Sequence, residues 1–107
     1  MINRSAVVVR IKQPYVRWAS TLDDSGVVPN PEDEPSMYLM PEYDDDAEGR
    51  ALLEHGYDAI FDAELEAWHT ERSNWPKDRS FSMFLEWFDI TLVSLIEDLC
   101  EGPIFDD

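Results

Sequence analysis

Arg79 to Leu99 reads RSFSMFLEWFDITLVSLIEDL, and the division of this stretch decides the fold. Phe81, Phe84 and Leu85 follow Ser80 at helical spacing. From Phe88 the period changes. Phe88, Ile90 and Leu92 fall on one side of an extended chain, and Asp89, Thr91 and Val93 on the other. The change of period predicts a short helix over 80–87 followed by a strand over about 88–96. One continuous helix over 81–99 is the alternative. The closing EGPIFDD has no period and reads as irregular.

Upstream, AVVVRIK (Ala6 to Lys12) is rich in β-branched residues and reads as a strand. Val7, Val9 and Ile11 share one face; Val8, Arg10 and Lys12 share the other, which is therefore partly wet. In the following QPYVRWASTL, Pro14 suits a first helical turn, and Tyr15, Trp18, Ala19 and Leu22 have helical spacing. A short helix over 14–22 is expected. Thr21 to Pro35 then carries three prolines, one glycine and five acids with no apolar period, so an acidic, proline-rich loop is expected at about 23–35. SMYLMP (36–41) is a short strand bounded by prolines. The long helix covers about 46–70, with Asp45 as its cap and Glu48 three residues later, the spacing of a capping box. Acids in its first turn also suit the helix dipole. SNWPKDRS is a loop, with Pro76 as a helix breaker.

The order strand, helix, strand, long helix, helix, strand describes one small α+β domain over 1–107. It would have about three strands, with a long amphipathic helix and shorter helices packed on one face. A chain of 107 residues with 44% hydrophobic and 12% aromatic content can bury a core. Cys100 stands alone, which excludes an intrachain disulfide and fits a reducing compartment. Glu97, Asp98 and Glu101 beside it make it a poor nucleophile. AVVV is followed at once by Arg10 and Lys12, and no run approaches the roughly 20 apolar residues of a membrane span. A soluble cytoplasmic protein is the expectation.

Charge is the unusual property: 24 acids against 8 bases give a formal net charge of −16. Phosphate contacts need the opposite sign, so direct nucleic-acid binding is disfavoured, as is an anionic membrane. Basic proteins or cations are the partners such a field attracts; the alternative is charge that only keeps the protein soluble. The distribution is uneven. Residues 1–22 hold Arg4, Arg10, Lys12 and Arg17 and no acid, whereas Asp23 to Glu71 hold sixteen acids and one base, Arg50. The N-terminal strip is expected to pair with the protein's own carboxylates.

On a helical wheel at about 100° per residue, His55, Asp58, Asp62, Glu66 and His69 fall within roughly 80° of arc. Glu54, Asp58, Asp62 and Glu66 are spaced by four, so each acid faces the next. Leu53, Tyr57, Ile60, Phe61 and Trp68 gather opposite, as a core stripe. Like charges at this spacing repel, and no lysine or arginine lies between Ala51 and Glu71. Something must offset the repulsion: a basic partner, a cation or the N-terminal bases. Glu66 and His69 form an ExxH pair, the spacing of carboxylate-bridged metal sites, but those sites need two such pairs and further glutamates. His55 and His69 lie about 21 Å apart along a helix and cannot share one metal. No metal or cofactor is therefore assigned. Glu64 falls in the middle of the apolar face, where a carboxylate must be paired, protonated or at the rim. Arg10, Lys12 or Arg17 is its expected partner. Trp75, with Arg72, Lys77 and Arg79 near it in sequence, is either a packing lid or an anchor for a protein contact.

The sequence has no glycine-rich phosphate loop, no HExxH, no GxSxG and no CxxC. DSG at 24–26 and the DDD run lack the spacing of a calcium loop. KQPYVRWASTLD, SMYLMPEYDDD and FLEWFDITLVSLIEDL together resemble a group of small acidic bacterial proteins of about this length, with no assigned activity. That resemblance implies a small cytoplasmic domain and transfers no functional residue. The expectation is a small acidic binding protein that meets a basic protein surface through Asp44, Asp45, Asp46, Glu54, Asp58, Asp62 and Glu66, with Trp75. No catalytic residue is assigned. The alternative is a metal-dependent or acid–base enzyme using Glu64 or the Glu66–His69 pair.

Overall fold

A computed structural model describes residues 4–96. Strand β1 (Ser5–Ile11) leads into helix α1 (Gln13–Ser20), then strand β2 (Ser36–Met40) and the long helix α2 (Asp46–Trp68). A single 3₁₀ turn (Arg72–Asn74), helix α3 (Phe81–Trp87) and strand β3 (Phe88–Val93) follow. The fold is α+β, and the sheet order is β2-β1-β3, antiparallel throughout.

The helix-to-strand division of 81–93 is the one the change of period indicates; the continuous helix is not formed. Ser80 starts α3 by accepting from the Met83 N–H at 3.1 Å. Phe88 ends it by turning extended (φ −134°, ψ 142°), and pairing with β1 takes over at once. Phe88 lies opposite Ile11 and Val93 opposite Ala6, and the Lys12 N–H donates to the Trp87 carbonyl at 2.9 Å. The strand stops at Val93 rather than 96 because its partner begins at Ser5. There the Ser5 hydroxyl donates to the Ser94 carbonyl at 3.2 Å. Cys100 and its acidic neighbours lie outside the described residues.

One face of the sheet carries Val7, Val9, Tyr38, Met40, Phe88, Ile90 and Leu92 and packs under the helices. Leu53, Ile60, Phe61 and Leu65 of α2 meet it, all buried. Rings fill the junction. Phe61 and Phe88 sit edge to face at 5.2 Å, Phe84 and Phe88 at 5.1 Å, and Phe61 and Trp87 at 5.5 Å. Each such pair contributes about 0.5–1.5 kcal/mol beyond area burial. The opposite face keeps the alternation, and Met37 and Leu39 remain 62% and 63% exposed on it.

At the start of α2, Asp45 caps the helix by accepting from the Glu48 N–H at 2.8 Å. Glu48 reaches back to the Asp44 N–H at 3.5 Å, one residue short of a closed capping box. Tyr43 locks this corner: its hydroxyl donates to the Ala6 carbonyl and its N–H to the Ser5 hydroxyl, both at 3.2 Å. The buried Tyr43 ring lies against Gly49, where a Cβ would meet it at 2.8 Å. At the other end, His69 turns extended one residue beyond Trp68.

Candidate functional site

The acidic face of α2 exists, but it is not uniformly uncompensated. Asp58 and Asp62 are one helical turn apart, close enough for one guanidinium to bridge them. The Arg79 Nη2 sits 2.9 Å from Asp58 Oδ1 and 2.5 Å from Asp62 Oδ1. Its guanidinium carbon lies 5.0 Å over the Phe61 ring, and its side chain is only 14% exposed. Burial works against the charge on Arg79, but the hydrogen bonds it donates to Asp62 and Asp58 more than offset it, and its pKa lies above the ordinary value. The loop is shaped for this role: Asp78 takes the left-handed conformation (φ 55°) directly before Arg79, and Tyr57 donates to the Arg79 carbonyl at 3.2 Å.

Arg10 and Lys12 of the N-terminal strip are engaged elsewhere. Arg10 donates through Nη1 to the carbonyls of Pro31 (3.1 Å) and Asp33 (3.0 Å), and Lys12 donates to the Leu85 carbonyl at 3.2 Å. Arg10 ties the loop over 29–36 to the sheet, and Lys12 ties α3 to the end of β1. Glu54 and Glu66 lie exposed on either side of the Arg79 clamp, and neither forms an ion pair among the described residues. Asp44, Asp45 and Asp46 are exposed at the helix start, with Asp45 occupied as the cap.

Trp75 is a lid. It is 7% exposed, its indole N–H donates to the His69 carbonyl at 2.8 Å, and Arg72 lies 5.0 Å over its ring. Of the two roles expected for Trp75, this burial is that of the packing lid. The Glu66–His69 pair is also not as the spacing implied. Because α2 ends at Trp68, His69 leaves the helix, and its Nε2 faces the Asn74 amide at 3.0 Å. Among the described residues, no three His, Cys, Asp or Glu side chains are grouped as metal ligands. At DSG, the Asp23 carboxylate accepts from the N–H and hydroxyl of Ser25, which closes a local turn and lowers the Asp23 pKa.

Glu64 is where the wheel puts it, on the buried face of α2 and 7% exposed. Its partner is not a base. The Tyr38 hydroxyl donates to Oε2, and the Tyr15 hydroxyl donates to the Glu64 backbone carbonyl at 2.5 Å. Burial first, and then the Glu64 charge or hydrogen bond, push both phenols well above their ordinary pKa. Both therefore stay protonated and act as fixed donors. The expected ion pair with Arg10, Lys12 or Arg17 is absent among the described residues.

Besides a cleft of about 440 Å³ along Asp58, Asp62, Trp75 and Arg79, two others adjoin α2. The first, of about 350 Å³, opens beside Glu64 between α1, β1 and the loop over 29–36. The second, also about 350 Å³, is apolar and lies between β2 and α2, with Leu39, Met40, Leu52 and Ile60 among its walls.

Comparison with known proteins returns no matching family model, no matching curated relative and no matching solved structure. No helix among the described residues is long and apolar enough to cross a membrane.

Proposed function

We propose that the protein is a cytoplasmic binding protein that engages a basic protein surface through the acidic face of α2. The observation that carries this reading is the position of Glu54 and Glu66. Both are exposed, they lie about 18 Å apart along the helix, and neither is neutralised by an ion pair among the described residues. Asp44 and Asp46 continue the negative surface past the helix start. Such a field steers a basic partner and raises its association rate more than it sets final affinity.

The test must separate this face from bulk charge. Two baits of equal net charge serve: Glu54→Lys with Glu66→Lys, and Asp24→Lys with Glu32→Lys, which alters the distant loop. Asp58 and Asp62 are left intact because they hold Arg79. The expected result is a salt-sensitive basic partner captured from lysate by wild type and by the loop variant, and lost by the helix variant. Capture of that partner by the helix variant as well would remove the face from the contact.

Acid–base catalysis by Glu64 has one observation in its favour, the cleft beside it. The two phenols at hand are held protonated, so a proton would have to move through Glu64 itself. An NMR titration of its carboxyl carbon decides the matter. General-base work near neutrality needs a midpoint close to the working pH, and an ordinary carboxylate midpoint would end that reading.

A further inference from the structure

We infer that the cleft beside Glu64 is a binding pocket for an organic cation on an alkyl stem, an ammonium or guanidinium. The cleft lies on the side of α2 opposite the acidic face, so this inference does not rest on the reading above.

Glu64 is more than nine-tenths buried, yet among the described residues no base neutralises it. One carboxylate oxygen is held by Tyr38. The other accepts no hydrogen bond among the described residues, and no buried side-chain oxygen is left without a partner, so this oxygen opens on the cleft that Glu64 lines. Tyr15 fixes the backbone of the same residue from the opposite element. The carboxylate is thus oriented before any ligand arrives, which removes part of the ordering cost of binding.

The walls complete the requirement. Val9, Ile11, Pro29 and Trp68 offer apolar surface for a methylene stem, and the Trp68 indole suits the face of a cation. Asp33 and Glu34 lie at the rim. Arg10 also lines the cleft, but its Nη1 is engaged by the Pro31 and Asp33 carbonyls, where it braces the outer wall. Three acids against one base leave the lining net negative. A charge-assisted hydrogen bond to a poorly solvated carboxylate is stronger than one in open water. A volume of about 350 Å³ accommodates one such side chain or small amine.

The experiment is a titration followed by Trp68 indole NMR shifts in 150 mM sodium chloride. The probes are n-butylammonium, its neutral isostere n-butanol, N-acetyl-lysine methylamide and its isostere N-acetyl-norleucine methylamide. In the expected result, each cation that enters binds at least about tenfold tighter than its isostere, a difference that corresponds to one charge-assisted contact. Glu64→Gln abolishes that preference. It changes a charge of −16 by one, so attraction to the protein as a whole would survive it. Binding of the blocked lysine assigns the pocket to a partner's side chain, whereas binding of butylammonium alone assigns it to a free amine. Either supports the pocket. Equal affinity for cations and isosteres, or a cation preference unchanged in Glu64→Gln, would overturn it. Should Glu64→Gln fail to fold, Ala67→Phe fills the cleft from an exposed helix position and must also abolish binding.

Discussion

Asp62 and Glu64 are two residues apart on one helix and are stabilised by opposite means. Asp62 is half-buried on the outer face and shares a guanidinium with Asp58. Glu64 is buried on the inner face, beside a cleft, and is met by a phenol. The difference teaches that this helix tolerates its acids locally, one face at a time. Charge pairing works where water still screens; neutral donors work where burying a second charge would cost more than the attraction returns. The two arrangements should therefore respond differently to salt, pH and mutation.

Phe61 is the wall between them. Its ring carries Arg79 on one side and contacts Phe88, Phe84 and Trp87 on the other. Phe61→Ala is expected to have the largest effect, a loss of about 3–5 kcal/mol by urea denaturation. It should also weaken the Arg79 clamp, so the variant should lose part of the salt dependence seen in wild type. A loss below about 1 kcal/mol would mean the two faces are not joined through this ring.

Tyr38→Phe tests the inner arrangement alone. Removing the hydroxyl leaves a buried carboxylate oxygen without its donor, a loss of about 1–3 kcal/mol at neutral pH that salt should not change. The pH dependence has a definite sign. The folded-state pKa of Tyr38 is raised, so its contribution is fully present below the unfolded value of about 10 and declines as pH rises above it. Wild type should lose stability between pH 10 and 11 faster than Tyr38→Phe does. Parallel losses would show that this phenol is not protected in the folded state.

Arg79→Ala tests the outer arrangement. It removes the bridge between two acids and the contact over Phe61, at a cost of about 1 kcal/mol in low salt. In about 1 M sodium chloride, where the screening length falls to roughly 3 Å, the electrostatic part should vanish and only the packing loss should remain. A cost independent of salt would assign the role of Arg79 to packing.

Much of this was legible in the sequence, and what was not has a physical reason. The period change at Phe88 reports local geometry, and β3 begins there. The wheel put Glu64 on the buried face correctly because helical phase is also local. It could not name the partner. Tyr38 reaches Glu64 only because β2 crosses to the edge of β1, a tertiary event across 26 residues. The alternation of SMYLM did hold one signal: Tyr38 shares a side with Met40, which is buried. Arg79 left no such trace. It follows the helix by a loop, and its return depends on the turn at Asp78 and the covered Trp75. Arg10 and Lys12 matched the acids by sign but are committed to carbonyls.

The smallest expected effect compares the two faces at their glycines. Gly49 and Gly56 both lie within α2, and glycine weakens a helix interior by about 0.5–1 kcal/mol relative to alanine. A Cβ at Gly56 would meet nothing within 4 Å, so Gly56→Ala should stabilise the protein by about that amount. At Gly49 the same Cβ would press on the Tyr43 ring, which is fixed by its hydrogen bond to Ala6. There the propensity gain is opposed by displacement of the corner that joins β1 to α2, and Gly49→Ala should lose stability. Paired urea midpoints check this. Equal gains at both positions would show that the corner can yield, and that helix phase alone does not distinguish the buried face from the open one.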